Sequence, residues 1–360
     1  MEKHYAIFFG LLRFCIGSES KIPSSLKEAD WKELYRIAQK QCLVGILFDG
    51  IQKLPLAEVG MSKDLLLQWM MQCQMLEKAN VRLNDAANQV SEWFGKKGFR
   101  TCILKGQGNA LMYPNPYSRT PGDIDIWVEG GDKRVISFVR SISPHEKACY
   151  HHIEFPSYKG VEVEVHYRPS FLLYFWHNRK LQKYYEMVKE EQFSHRIMLG
   201  EQGEIAIPTV EFNLIFQLTH IFSHLMNEGI GLRQLLDYYY VLISDDLLLI
   251  RDRVQKELKE LGLWKFAGGI MYIMQEVFGM PASRLIVPPN EKCGKFVLNE
   301  VLEAGNFGKH DVRNRFGRSK LGHNLQRVYR DIRLVRYFSA EAMSEPFFRV
   351  WHFFWRLRHK

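Results

Sequence analysis

Nowhere in this 360-residue chain does an apolar run approach the roughly 18 to 20 residues that span a bilayer. Cysteine is scarce and scattered. The six, at positions 15, 42, 73, 102, 149 and 293, include no Cys-x-x-Cys pair, which excludes a zinc ribbon and a disulfide framework. A reduced, cytoplasmic setting is therefore expected. The first residues lack a small-x-small cleavage site, and Glu2, Lys3 and Arg13 break up their apolar patches. They predict an amphipathic helix instead of a signal peptide. Internal repeats and low-complexity linkers are missing too, so helical parts should pack onto the rest of the chain. What remains is ordinary for a soluble globular protein: 46% hydrophobic and 25% charged residues. The length suits two or three packed units.

Negative charge is sparse at the C-terminal end. From Lys309 to Lys360, thirteen Lys and Arg face four acids, an excess equal to the whole chain's net charge of +9. Such a block suits nucleic acid, an anionic membrane surface or an acidic partner, or simply forms a solvated basic face. Within it, Phe347, Phe348, Trp351, Phe354 and Trp355 follow helical spacing beside Arg349, Arg356 and Arg358. An interfacial membrane helix has this pattern, and so does a helix docked on its own protein.

Texture divides the chain. Residues 1–96 read as helices, the longest from Leu65 to Phe94, ended by Gly95-Lys-Lys-Gly98. Thr101 to Leu104 is a short strand, Gly106 to Met112 a helix, and Tyr113 to Gly122, with three prolines, a loop. Asp123 to Val128, Ala148 to Phe155 and Val161 to Arg168 read as strands, and Asp132 to Ile142 as a helix. After Pro208 the pattern is helical again. These signals predict an α+β protein: a mixed-sheet core at 97–200 between an N-terminal helical segment, 1–96, and a C-terminal helical region with the basic tail, 201–360.

Two stretches carry chemistry. In Gly122-Asp-Ile-Asp-Ile-Trp-Val128, alternation puts Asp123 and Asp125 on one face and Ile124, Ile126 and Val128 on the other. In Val161-Glu-Val-Glu-Val-His-Tyr-Arg168, Glu162, Glu164 and His166 share a face. If these strands are neighbours, one glutamate completes a carboxylate triad. Three carboxylates suit a two-metal phosphoryl-transfer site, and hard Mg²⁺ takes oxygen ligands together with phosphates. Upstream, Leu104-Lys-Gly-Gln-Gly-Asn-Ala110 turns through glycine into a helix, where backbone N–H groups can receive phosphate. Lys105 and Arg119 flank that position and are read as carriers of charge for a triphosphate.

Gly106, Asp123-Ile-Asp125 and the later strand glutamate resemble the nucleotidyltransferase fold of the DNA polymerase β superfamily. More narrowly, Leu104-Lys-Gly106, Tyr113-Pro114, Arg119, Asp123-Ile-Asp125, Glu164-Val-His166 and Gly231-Leu-Arg233 with Asp237 resemble the bacterial nucleotidyltransferase family often labelled type five. The likeness runs over roughly residues 95 to 245. It implies Asp123 and Asp125 as Mg²⁺ ligands, two ions in all, Glu164 as the third acid, and the Gly106 backbone against the β- and γ-phosphates. Gln107, at the same turn, stands where the superfamily pattern has serine and is counted with Lys105, Gly106 and Arg119 as nucleotide-binding. The implied reaction moves a nucleoside monophosphate from a nucleoside triphosphate to an acceptor hydroxyl and releases pyrophosphate. Alternatives are a non-catalytic nucleotide- or nucleic-acid-binding module and a membrane-associated enzyme of surface-polysaccharide synthesis.

Five further polar residues remain. His166 is either a hydrogen bonder behind a metal ligand or a packed core histidine. His220 and His224 are four apart on a predicted helix and could contact substrate or metal, but Ile221 removes the His-Glu-x-x-His pattern of a zinc peptidase. Arg233 and Asp237, also four apart, predict a helix-face salt bridge or a pair that orients substrate phosphate.

Overall fold

The computed structural model describes residues 2–55, 60–201, 203–309, 311, 313 and 320–359. It begins with α1 (Glu2–Ile16), α2 (Trp31–Lys40), α3 (Val44–Ile51) and the long α4 (Lys63–Lys96). The starts of α2 and α4 are capped as the sequence invites: Asp30 accepts from the Lys32 and Glu33 N–H groups, and Ser62 from that of Leu65. Gly98 closes α4 at a φ of +80°, which glycine adopts without strain.

Next come β1 (Thr101–Ile103), the single turn α5 (Gln107–Ala110), β2 (Ile124–Val128), α6 (Gly131–Ile142), β3 (His152–Tyr158) and β4 (Val161–His166). The sheet order is β1-β2-β4-β3, mixed as expected: β1 and β3 run antiparallel to their neighbours, whereas β2 and β4 are parallel. One face is aliphatic. Ile124, Ile126, Val128, Val163 and Val165 pack there with Leu83, Val90 and Phe94 of α4 and Val135 and Val139 of α6. The other face carries Asp125, Trp127, Glu164 and His166.

Helices roof that polar face. After α7 (Phe175–Ser194) and the hairpin β5 (Arg196–Met198) and β6 (Glu204–Ala206) come α8 (Val210–Asn227), α9 (Leu232–Leu242), α10 (Leu247–Glu260), α11 (Trp264–Glu276), α12 (Glu291–Ala304), α13 (Lys320–Val335) and α14 (Ser339–Arg358). Trp127 meets the rings of Phe193 of α7 and Phe212 of α8 at 4.7 and 5.8 Å. One hydrophobic cluster runs from Phe8 and Leu34 through Trp127 to Phe266 and Val301, joining the N-terminal helices to the C-terminal ones.

Three elements differ from their predicted form. The helix expected over Gly106 to Met112 is one turn long. The third strand starts at His152, not Ala148, because the Cys149 N–H turns back to the His152 carbonyl at 2.9 Å. The tail helix α14 is docked on one side only. Trp355 is buried in the sheet's cluster and Phe348 stacks on Phe171 at 5.1 Å, while Phe347, Trp351 and Phe354 are exposed. The basic block is also less free than its composition implies. Arg313 and Arg333 pair with Glu300, and Arg349 with Glu345; residues 314–319 lie outside the described residues. Among the described residues, no helix is long and apolar enough to cross a membrane.

Helix α3 supports the loop that leads into β2. A Cβ on Gly45 would sit 2.2 Å from the Ser118 carbonyl oxygen, and backbone on both sides cannot yield. Gly45→Ala is therefore expected to cost about 1–3 kcal/mol, read as a lower urea midpoint. An unchanged midpoint would show that the helix and loop do not bear on each other.

Candidate active site

The parallel register of β2 and β4 sets Asp125 directly beside Glu164. Asp123 precedes β2 by one residue and joins them: one oxygen from each of Asp123, Asp125 and Glu164 lies within 4.8 Å of the others. Glu162, the competing third acid, is exposed on the same strand and takes no part. All three donors are hard oxygens, so the set fits Mg²⁺.

Protein cations answer this charge. The Lys105 ammonium lies 2.8 Å from Asp125 Oδ1, and His166 Nε2 3.0 Å from the same oxygen. His166 is thus a hydrogen bonder behind an acid. Crowding by Asp125, then burial, raises the Asp123 carboxyl above its ordinary range. Burial also works against charge on Asp125, but Lys105 and the His166 hydrogen bond outweigh it and hold that carboxyl well below the usual range. Glu164, resisted by burial and favoured by His166, is lowered as well. His166 rises to about 9, because hydrogen bonds to Asp125 and Glu164 overcome its desolvation.

The loop carrying Asp123 is fastened at several points. Asn80 of α4 donates to the Tyr117 and Arg119 carbonyls at 2.9 and 2.8 Å, and Thr120 Oγ1 donates to the Cys42 carbonyl at 2.9 Å. Arg119 grips both oxygens of Asp237 at 2.8 Å, where the Tyr113 hydroxyl also donates at 2.6 Å. Arg233 donates to the Thr120 carbonyl at 2.9 Å. Arg119 is only 4% exposed and its fork is spent on Asp237, because a buried guanidinium needs a counter-charge. Asp237 accepts its side-chain hydrogen bonds across the fold, from Arg119 and Tyr113, while the charge of Arg233 on its own helix also favours its ionised form.

Gly106 sits at a φ of +54°, a region that side chains avoid, and lines a narrow pocket with Lys105, Arg119, Asp123 and Arg233. Gln107 does not line it. Its amide is buried against Asn84 of α4, since the residue after the glycine turn faces the core. A wider cleft opens on the other side of the acids, bordered by Lys105, Asp123, Glu164, His220, His224 and, from α14, Arg349. In its wall His220 Nε2 is 3.1 Å from Lys105 Nζ, and His224 Nδ1 is 3.5 Å from Glu228. Among the described residues, the two form no metal-ligating group.

Sequence reading missed His151 and His152. The antiparallel register of β3 and β4 places His152 opposite His166, with its Nδ1 3.4 Å from Glu164. Counting back from the Tyr158-Lys-Gly160 turn would have set Ile153 opposite His166, because an irregularity between Phe155 and Tyr158 shifts the register by one residue.

A mixed sheet with an Asp-x-Asp strand in parallel register with a third acid, behind a glycine turn, defines a nucleotidyltransferase-type site. The chain belongs to the family described as uncharacterised nucleotidyltransferase, whose sequence profile matches residues 27–279. It is similar in structure to an antigenic nucleotidyltransferase-like protein from Paracoccidioides brasiliensis, at 13% identity and a TM-score of 0.28, over 50% of this chain and 90% of that one. No curated protein matches it as a relative.

The histidines fix a stability profile. Burial, foremost, lowers His152 to about 4 and His151 and His220 well below their ordinary value. Unfolded histidine titrates near about 6.5, so as pH falls below that the unfolded state binds more protons and stability drops. His166 has the opposite sign: between about 6.5 and its folded value of about 9 the folded state holds the extra proton, and its contribution is lost as pH rises. The melting temperature in chelator should therefore peak near neutrality and fall on both sides. A flat profile from pH 5 to 9 would contradict it.

Proposed function

We propose that the protein transfers a nucleoside monophosphate from a nucleoside triphosphate to an acceptor hydroxyl, with release of pyrophosphate, using Mg²⁺ at Asp123, Asp125 and Glu164. One observation carries this: the three acids stand where a narrow, cation-lined pocket meets a wider cleft. A transfer centre needs donor and acceptor to meet across it. The narrow pocket suits the triphosphate, with the Gly106 turn and Lys105 against its phosphates and Arg233 near Gly122. Arg119 contributes by holding Asp237 and the loop. The cleft beyond Glu164 suits the acceptor.

The acceptor oxygen bonds to the α-phosphorus while the bond to the bridging oxygen of pyrophosphate breaks. Its proton leaves toward the cleft-facing Glu164 carboxylate. Bound Mg²⁺ supplies charge neutralisation at the phosphates and lowers the pKa of the attacking hydroxyl. Without a cation, Lys105 and His166 hold Asp125 in place; a bound Mg²⁺ would take over the Lys105 contact and leave that ammonium to the phosphates.

The test incubates the protein with α-labelled or γ-labelled ATP, Mg²⁺ and cell extract. Label should move from the α position alone. Asp123→Asn, Asp125→Asn and Glu164→Gln should each reduce it by about a hundredfold or more. Transfer of γ label would mean a kinase instead, and full activity in the Asp variants would remove these residues from the mechanism.

A further inference from the structure

We propose that Cys149, His151 and His152 form a second metal site, for a borderline-soft divalent cation such as Zn²⁺, on the wall of the wide cleft. One ligand atom from each lies within 4.8 Å of the others. The Cys149 Sγ to His151 Nδ1 distance is 3.6 Å. Bond lengths of about 2.3 Å to sulfur and about 2.0–2.1 Å to nitrogen at tetrahedral angles require an S···N edge of about 3.5 Å. One thiolate and two imidazoles are poor ligands for Mg²⁺ and good ones for zinc. None of them belongs to the acid triad, so the site stands whether or not nucleotidyl transfer is the reaction.

The backbone is already shaped for such a site. Cys149 N–H returns to the His152 carbonyl at 2.9 Å, and the Tyr167 and Arg168 N–H groups both donate to the His151 carbonyl, at 3.0 and 3.1 Å. The Tyr167 hydroxyl donates to the Cys149 carbonyl. This tight turn, anchored to the end of β4, is what breaks the expected strand. Phe171 packs on the His151 ring at 4.9 Å. Glu164 Oε2 lies 3.4 Å from His152 Nδ1, the kind of carboxylate contact that orients a metal-binding imidazole. All three side chains line the cleft, which leaves a fourth position open, as in catalytic rather than structural zinc sites. On binding, the Cys149 thiol gives its proton to solvent and its sulfur bonds the cation.

The full-length protein, stripped by chelator, is titrated with Co²⁺ in the presence of millimolar Mg²⁺. The expected result is a sulfur-to-cobalt charge-transfer band saturating at one equivalent and abolished by added Zn²⁺. Cys149→Ser should lose the band, and His151→Ala or His152→Ala should weaken Co²⁺ binding at least about tenfold. Asp125→Asn should keep the band while losing label transfer, which separates this site from the acid triad. X-ray absorption on the zinc-loaded wild type should show one sulfur and two imidazoles, a readout that needs no variant to fold. No band in the wild type, or a band that survives Cys149→Ser, would overturn the site.

Discussion

Three carboxylates crowded together, Asp125 buried and Asp123 and Glu164 half-buried at the cleft, govern the organisation of this protein. At the separations seen here, and at an effective dielectric constant of about 20, each pair of ionised acids repels by roughly 3–4 kcal/mol. That is a large share of the roughly 5–15 kcal/mol by which a domain is stable. The fold tolerates it because Lys105 and His166 both converge on the same Asp125 oxygen. Asp123, without so close a cation, holds its proton more readily instead. The site is thus charge-balanced in a way that an arriving divalent cation can take over, since it competes with Lys105 for the same carboxylate.

Such a site works only if the loop feeding Asp123 into β2 is fixed. The Arg119–Asp237 pair supplies this, with its two partners 118 residues apart in sequence. Buried ion pairs add little net stability, because desolvation offsets the attraction, but losing one partner typically costs about 3–5 kcal/mol. Its value is positional. Asp237, Tyr113, Arg119 and Arg233 form a polar plug that ties the loop to α9, and Asn80 ties it to α4. These contacts make the helices on both sides of the sheet part of the site's scaffold.

Alternation along two strands grouped Asp123 with Asp125, and Glu164 with His166 and Glu162, because period-two patterning states which side chains share a face; the choice of Glu164 over Glu162 came from the family resemblance. Glycine at 106 was equally readable, since few other reasons exist for glycine between a strand and a helix. Burial was not. Arg119 and Gln107 occupy positions that flank a phosphate in sequence, yet one faces Asp237 and the other Asn84. Local spacing cannot reveal a partner more than a hundred residues away. The same blindness hid His152, whose neighbour is set by hairpin register.

The cleft side of the site is the least readable of all, for a related reason. Its wall takes Tyr150 from the turn before β3, Ser223 from α8, and Glu345 and Arg349 from α14. No sequence window contains them together. Composition there tells only part, since the tail's nine excess positive charges suit a polyanion while some of its arginines already face acids of the fold. Glu345 binds Arg349 directly, and Glu300 answers both Arg313 and Arg333. Charge that has already found a partner inside the fold is a poor attractant for an external one, because the new contact must first break the old.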